Sequence, residues 1–309
     1  MEPGSADIDA LAEAVTAWAK PHGLFADLDD QEQRTRATTI ATFVKHCSPT
    51  VASAHGTWLA AQITAIFFYL DDLPVGHIEA EADRLLRVLD EERPIVPIGV
   101  APGPATALRE YLSALEIWDG LGRYRDLCRE LFQAMIAEAR RAQAGPWSWV
   151  DFEQHRLGVI FVRQYVWSWL ISEQVELSDG ALSDCEPCFR LASGIVAVVN
   201  DLGSVERDRA AGGVDANLIL LVEQNGISTQ DALDLVVKKH EALTNAYSVM
   251  LDKLRQQTLT PHAHIGAMID FVVRGNFTAT VALSRVRYPK TLEILERLSH
   301  FYRSANDSN

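Results

Sequence analysis

Three oxygen-bearing side chains follow one another at intervals of four residues where a long apolar segment of the sequence becomes polar. Asn200, Ser204 and Asp208 fall within about 80° of one another on a helix that turns about 100° per residue, and Arg207 lies beside them. Glu206 falls on the opposite face, towards solvent. Mg²⁺ accepts amide, hydroxyl and carboxylate oxygens as ligands, and an arginine suits a phosphate oxygen. The spacing therefore predicts that this Asn-Ser-Asp stripe binds a hard divalent cation beside a phosphate group.

A second acidic feature ends another apolar segment about 130 residues earlier in the chain. On a helix, Phe67 lies one turn below Asp71, and Phe68 one turn below Asp72. Carboxylates at a helix C-terminus oppose the helix dipole, which disfavours a purely structural role. We expect Asp71 and Asp72, the aspartate rim, to bind metal above a cavity lined by the two phenylalanines.

The overall composition limits the partners. The chain has 309 residues, 48% of them hydrophobic, and a net charge of −14. This balance lacks the basic footprint of a nucleic-acid-binding protein, so we expect no nucleic-acid partner. An anionic small molecule would need local cations in order to bind.

Several features favour a cytoplasmic protein. The acidic, polar start MEPGSADIDA does not look like a signal peptide, and the four cysteines are expected to be reduced. Residues 46–70 carry no Asp, Glu, Lys or Arg, but polar residues interrupt them. We therefore expect a buried core helix there and no membrane span.

Helical periodicity dominates the sequence, and strand-like alternation is almost absent. The expected architecture is one all-α domain over residues 1–309, with about ten helices around a central apolar cavity and with disordered tails at 1–7 and 304–309. The candidate helices are 8–20, 30–46, 51–72, 77–90, 103–117, 120–143, 149–173, 181–209, 228–256, 263–286 and 290–303.

The two polar clusters together resemble the motifs of class I terpene synthases. That family carries an aspartate-rich motif on one helix and N-D-x-x-S-x-x-x-E on a facing helix. Here these motifs read Asp71-Asp72 and Asn200-Asp201-x-x-Ser204-x-x-x-Asp208. The resemblance covers roughly residues 50–290 and implies a class I α-helical barrel and Mg²⁺ ions, three in number. It implies that the residues of the rim and the stripe bind metal, namely Asp71, Asp72, Asn200, Ser204 and Asp208. We expect Asp201, at the edge of the stripe, to support these ligands or to act as a capping group.

Further positions match the family's diphosphate contacts. Arg156 precedes Asn200 by 44 residues, where the family has an arginine that senses diphosphate. The segment RGNFTATVALSRVRY ends in Arg287-Tyr288, like the family's C-terminal Arg-Tyr pair. The resemblance implies that four residues bind diphosphate: Arg156, Arg207, Arg287 and Tyr288. It also implies that the catalytic residues are Asp71, Arg156, Arg287 and Tyr288. We also expect Phe277 to line the cavity.

The segment at 200–224 resembles the bacterial ent-kaurene-synthase type of class I diterpene synthase. This resemblance implies a lyase that ionises a prenyl or bicyclic copalyl-type diphosphate and cyclises the cation to a diterpene. A bicyclic substrate would come from a separate class II cyclase. Where many bacterial relatives have a Trp ahead of the Arg-Tyr pair, this chain has Ala279 and Val281, which favours a wide cavity.

The chain also departs from the family pattern, and other interpretations stay open. Val75 and Gly76 stand where a third acid is usual, and Asp208 is one methylene shorter than Glu. A sesquiterpene cyclase acting on farnesyl diphosphate fits the same motifs. So does a non-catalytic or prenyltransferase-like protein that binds an isoprenoid diphosphate. The sequence leaves open whether the protein forms a homodimer.

Overall fold

The computed structural model describes residues 5–49, 53–91, 103–116, 120–175, 178–210, 216–257, 260–287 and 289–302. These residues form thirteen α-helices and a short 3₁₀-helix, and they contain no β-strand. The helices are α1 (Ser5–Ala19), α2 (Asp30–Cys47), α3 (Ala54–Asp71), α4 (Val75–Leu89), α5 (Pro104–Ala114), α6 (Leu121–Gln143), α7 (Trp149–His155), α8 (Val162–Ser172), α9 (Asp179–Ala210), α10 (Leu218–Gln224), α11 (Thr229–Gln256), α12 (Thr260–Arg287) and α13 (Pro289–Leu298), followed by the 3₁₀-helix Ser299–Phe301.

The predicted all-α fold class is confirmed, and most predicted helices appear within a few residues of their expected bounds. Residues 5–7 of the predicted N-terminal tail belong to α1. The other residues of the two predicted tails, 1–4 and 304–309, lie outside the described residues.

Five helices form a closed ring of packing contacts. In order, α2 packs against α3, α3 against α8, α8 against α9, α9 against α12, and α12 against α2. Because α3 and α9 each end at one of the two polar clusters, the ring determines how these clusters meet.

The long helix α9 forms one wall of this ring. It is the one described helix that is long and apolar enough to cross a membrane, but 78% of its most apolar window is buried inside the protein. Burial of this kind is typical of a central core helix. Most of the predicted core helix at 46–70 corresponds to α3, whose residues Leu59–Ile66 and Leu70 are buried as expected, whereas its large aromatic side chains are half-buried.

The structure differs from the predicted helices at two places. The helix predicted at 149–173 is interrupted by turns between α7 and α8, at residues 156–161. At Gly158, an added Cβ would lie 3.0 Å from the Ala134 Cβ, so the chain passes close to α6 there. The second difference is α10, which has only seven residues and is too short for periodicity to reveal.

Two hydrophobic clusters fill the interior. The larger one lies among α1 to α6, α8, the first part of α9, and α11 and α12. The smaller one, here called the outer cluster, consists of residues of α9 to α13 with Trp147, Phe152 and Ala216. Its α9 members include Leu202 and Val205, which lie between the residues of the polar stripe in the sequence. The C-terminal part of α9 therefore packs on one face while its other face carries polar groups.

The helices α2 and α12 touch most closely at Gly275. A Cβ built on Gly275 would lie 2.3 Å from the carbonyl oxygen of His46 and 2.5 Å from the Cα of Cys47. These neighbours are backbone atoms, which cannot turn aside as a side chain can. Only a residue without a Cβ permits this approach, which fixes α12 against the end of α2.

We expect Gly275→Ala to lower the free energy of unfolding by about 2 to 3 kcal/mol, because the methyl group forces the two backbones apart. Gly266→Ala is the matched control in the same helix, where the nearest neighbour of a new Cβ is the Leu254 Cβ at 3.4 Å. That variant should be neutral or gain up to about 1 kcal/mol from helix propensity. Urea denaturation measures both, and equal values for the two variants would contradict the close approach.

Candidate active site

The structure brings the members of the Asn-Ser-Asp stripe together on one side of α9. The Ser204 hydroxyl donates a hydrogen bond to Asp208 Oδ2 at 2.5 Å. Asn200 Oδ1 accepts a hydrogen bond from Asn276 Nδ2 of α12 at 3.1 Å. The i, i+4, i+8 spacing therefore produces the shared face that the sequence predicts, and a neighbouring helix holds one end of it.

Asp208 is buried, and both of its oxygens are engaged. Oδ1 accepts a hydrogen bond from Arg207 Nε at 3.0 Å. Oδ2 accepts bonds from Ser204 and from Asn217 Nδ2, the latter at 2.8 Å. Each carboxylate oxygen has two lone pairs, so these bonds still leave capacity for a cation.

Asp201 lies at the edge of the stripe and is 1% exposed. Its Oδ1 accepts a hydrogen bond from the guanidinium of Arg156, and its Oδ2 accepts one from the backbone N–H of Leu218 at 3.0 Å. Burial raises the pKa of Asp201 above its ordinary value, and the charge of Arg156 opposes that rise. The supporting role expected for Asp201 takes a specific form here, because its carboxylate pairs with the predicted diphosphate sensor.

The aspartate rim divides into two different carboxylates. Asp71 ends α3, is exposed, and makes no hydrogen bond or ion pair with any described residue. Asp72 forms an ion pair with Arg36 of α2, with NH1 and Oδ2 2.5 Å apart. Arg36 escaped the sequence analysis because no motif marks it. Of the two rim carboxylates, Asp71 is the one free to receive a ligand directly.

The rim and the stripe lie within electrostatic reach of each other. Burial alone would lower the pKa of Arg207, but the carboxylates of Asp208, Asp71 and Asp72 outweigh it, and the pKa is raised. The same holds for Arg156, where burial is outweighed chiefly by Asp201, with contributions from Glu138 and Asp71. Two guanidinium groups therefore share the electrostatic field of carboxylates from both α3 and α9.

Aromatic side chains lie below the rim. Phe67 stacks on Phe161, with ring centroids 4.6 Å apart and planes 7° apart. Phe68 contacts Phe67 and also Phe43 of α2, and Phe43 in turn meets Tyr165 of α8 edge-on. Both predicted phenylalanines are half-buried and pack against the larger hydrophobic cluster. Phe43 joins them from α2, Tyr165 from α8, and Phe161 from the turn directly before α8.

Phe277 has a different environment from the one expected. It belongs to the outer cluster and stacks face to face on Tyr302, with centroids 3.9 Å apart. The structure thus places it among α9 to α13 and apart from the Phe67 group. Its neighbour Asn276, which the sequence analysis did not select, is the residue that points towards the stripe.

The predicted Arg-Tyr pair falls largely outside the described part of the chain. Arg287 is the last residue of α12, but its side chain is not described, and Tyr288 lies outside the described residues. Both stay predictions from the sequence.

The donor set of the site fits a hard cation that is shared with an anionic ligand. No three His, Cys, Asp or Glu side chains of the described segments are grouped closely enough to hold a metal by themselves. The oxygens of the rim and the stripe are of the type that Mg²⁺ prefers, and Mg²⁺ commonly completes its shell with phosphate and water. The buried Arg156 Nε also has no hydrogen-bond partner among the described residues. Phosphate oxygens would complete the coordination of the cation and would also accept a hydrogen bond from the Arg156 Nε.

The four cysteines have a simpler environment. All are buried and free, and burial raises the pKa of each thiol. Cys185 and Cys188 lie in α9, and burial of this kind favours neutral thiols with a packing role.

Comparison with known families agrees with this geometry. Residues 62–245 match the family model described as terpene synthase family 2, C-terminal metal binding. The matched segment contains the aspartate rim, Arg156 and the whole stripe. No curated protein sequence matches the chain.

Solved structures with the same fold include 2-methylisoborneol synthase from Streptomyces coelicolor A3(2), which is 18% identical, with 93% of this chain and 92% of that chain covered and a TM-score of 0.76. Linalool/nerolidol synthase from Streptomyces clavuligerus, in complex with 2-fluorogeranyl diphosphate, is 16% identical, with 90% and 100% covered and a TM-score of 0.74. For a-eudesmol synthase the identity is 17%, the coverage 91% and 97%, and the TM-score 0.74. The helical arrangement is therefore that of class I terpene synthases.

We expect Asp201→Asn to destabilise the protein by about 3 kcal/mol, because it leaves the Arg156 guanidinium as a largely buried charge without its partner. Asparagine keeps the shape of the side chain and can still accept a hydrogen bond from the Leu218 N–H. The change in the free energy of unfolding therefore reports the loss of the negative charge. The free energy of unfolding in urea measures it.

The control is a double variant, Asp201→Asn with Arg156→Met, which removes both charges. It should recover more than half of the lost stability, since no unpaired charge is left. A single variant as stable as the wild type would contradict the ion pair.

Proposed function

Because this chain belongs to the terpene synthase family, with a family 2 metal-binding domain, we propose that it is a Mg²⁺-dependent class I terpene cyclase that converts an isoprenoid diphosphate to a cyclic terpene. As a terpene synthase it is a carbon–oxygen lyase that acts on prenyl diphosphates. One observation carries the proposal. Arg207 donates a hydrogen bond to Asp208 at 3.0 Å, and Asp71 at the end of α3 lies within electrostatic reach of the same guanidinium, so two acidic motifs on separate helices converge on one arginine.

The proposed roles follow the two clusters. The residues proposed to hold Mg²⁺ are Asp71, Asp72, Asn200, Ser204 and Asp208. The residues proposed to bind diphosphate are Arg156, Arg207, Arg287 and Tyr288. When bound, the Mg²⁺ ions, which we propose are three, neutralise the diphosphate and make it a better leaving group.

The protein's own groups act on the leaving diphosphate by hydrogen bonding and charge. Arg156 is held by Asp201, and Arg207 is held by Asp208, so both guanidinium groups are oriented before a ligand arrives. Such preorganised donors stabilise the negative charge that grows as the allylic C–O bond breaks and its electron pair moves to the diphosphate oxygen. The Arg156 Nε, which has no partner among the described residues, is a further donor on that side.

The aromatic group below the rim suits the carbocation that remains. The faces of Phe67, Phe68 and Phe161 can stabilise a passing cation, and the apolar walls exclude water that would trap it early. Cyclisation then ends by proton loss or by capture of water. We propose the released diphosphate as the base, since no side-chain base stands out among the described residues near the aromatic rings.

The proposed substrate is a C20 or bicyclic copalyl-type diphosphate. This proposal rests on the segment at 200–224, which resembles ent-kaurene-type diterpene synthases, and on Ala279 and Val281 in place of a bulky Trp. Farnesyl diphosphate is the second candidate, because proteins of the same fold include a-eudesmol synthase and linalool/nerolidol synthase. The buried, free cysteines support a cytoplasmic location.

Incubation of the protein with a panel of four isoprenoid diphosphates tests this function directly. We expect that incubation with Mg²⁺ and copalyl diphosphate gives a C20 hydrocarbon or alcohol in gas chromatography with mass detection. Geranyl, farnesyl and geranylgeranyl diphosphates complete the panel, and a metal chelator should abolish every product. A sesquiterpene from farnesyl diphosphate alone would favour the second candidate, and no product from any substrate would contradict a cyclase.

We expect Asp71→Asn to reduce turnover by at least about 100-fold, because the free rim carboxylate is lost where charge stabilisation matters most. The fold should be intact, since Asp71 is exposed and unpaired among the described residues. Glu206→Gln makes the same change of carboxylate to amide within the second motif. Because Glu206 is half-buried, lies off the stripe and makes no ion pair with the described residues, its variant should retain activity within about twofold. Equal activities for the two variants would contradict the assigned roles.

A further inference from the structure

Asn217 contacts the stripe from outside α9, and no motif identifies it. It stands directly before α10 and is 1% exposed. Its Nδ2 donates to Asp208 Oδ2 at 2.8 Å and to the backbone carbonyl of Asp201 at 2.9 Å, and lies 3.4 Å from Ser204 Oγ. A single amide thus reaches both of the last two residues of the stripe and the backbone of the helix that carries them.

The orientation of this amide is determined by its surroundings. Its Oδ1 accepts the backbone N–H of Ile219 at 3.0 Å, as an N-cap residue does. The opposite side of the amide meets a carbonyl oxygen and a carboxylate, which only accept hydrogen bonds. The NH₂ group must therefore face Asp208 and Asp201, and its two hydrogens match the two shorter contacts.

We propose that Asn217 is a positioning residue for the metal site, one that fixes the Asp208 carboxylate in the orientation required for binding a divalent cation. The inference rests on the proposed function. Asp208 is shorter than the glutamate usual at this place, and Arg207 holds its Oδ1. Asn217 holds Oδ2 on the other side, so the carboxylate cannot rotate freely towards Arg207.

The bond between Ser204 and Asp208 extends this arrangement. Because the Ser204 hydroxyl donates its hydrogen to the same Oδ2, the lone pairs of the Ser204 oxygen stay available for a cation. Asn217 and Ser204 thus meet at one carboxylate oxygen, and both are tied to α9. The N-terminus of α10 is tied there as well, through the bond of the Leu218 N–H to Asp201.

A purely structural role for Asn217 would be that of a helix cap. The variant Asn217→Ser separates the two roles, because serine also caps helices but lacks a second donor that can reach Asp208. Its matched control is Ser228→Ala, which removes the N-cap of α11, where the Ser228 hydroxyl accepts the Asp231 N–H at 3.2 Å and makes no hydrogen bond to the stripe. The control reports what the loss of a cap alone does.

The experiment measures thermal unfolding with saturating inorganic diphosphate while Mg²⁺ is varied, in the absence of any prenyl substrate. We expect Asn217→Ser to need about tenfold more Mg²⁺ for half of the maximal stabilisation, and Ser228→Ala to match the wild type in this requirement. Without ligands, the control should melt about 2 to 4 °C lower through the loss of its cap. An Asn217→Ser variant with the Mg²⁺ requirement of the wild type would overturn the proposal and leave Asn217 as a cap.

Two further arms keep the result decisive. If the wild type itself gains no stability from Mg²⁺ and diphosphate, the proposed function fails, independently of Asn217. If Asn217→Ser does not fold, Asn217→Thr replaces it, because threonine caps helices and likewise lacks the second donor.

In an Asp208→Ala background, the effect of Asn217→Ser on the Mg²⁺ requirement should shrink to less than about twofold. An undiminished effect would show that Asn217 acts elsewhere.

Discussion

The buried carboxylate of Asp201 is the constraint on which the rest of the site depends. A charge at 1% exposure needs a partner and hydrogen bonds where it lies, because desolvation is not otherwise compensated. Arg156 supplies the charge, and the Leu218 N–H supplies a hydrogen bond. One carboxylate therefore joins the turn after α7, the helix α9 and the start of α10. Each of these three segments carries a group of the proposed active site.

The ring of helices converts this local connection into a binding site. Because α3 and α9 belong to the same closed ring of packed helices, Asp71 at the end of α3 lies within electrostatic reach of Arg207 on α9. The close contact at Gly275 holds α12 against α2, and Asn276 next to it reaches Asn200. Packing of apolar helices thus determines where the oxygen donors stand, which is the condition for preorganised electrostatics.

Much of the fold could be predicted because helical periodicity is a local property. The stripe needs only the helical repeat to place Asn200, Ser204 and Asp208 on one face, and the structure agrees. The break after Arg156 and the short helix α10 were missed, since their patterns are too brief or are interrupted by packing. Phe277 was expected at the cavity, but the direction of its side chain depends on Tyr302, which lies 25 residues later.

The sequence by itself determined the helical class, the two acidic motifs and the faces on which their residues lie. Only the tertiary structure decided which groups complete the site: Arg36 on Asp72, Asn276 on Asn200, and Asn217 on Asp208. It also separated the rim into a paired and an unpaired carboxylate. The physical reason is that a helix repeat relates residues within a few turns, whereas these partners come from segments whose approach depends on how the whole ring packs.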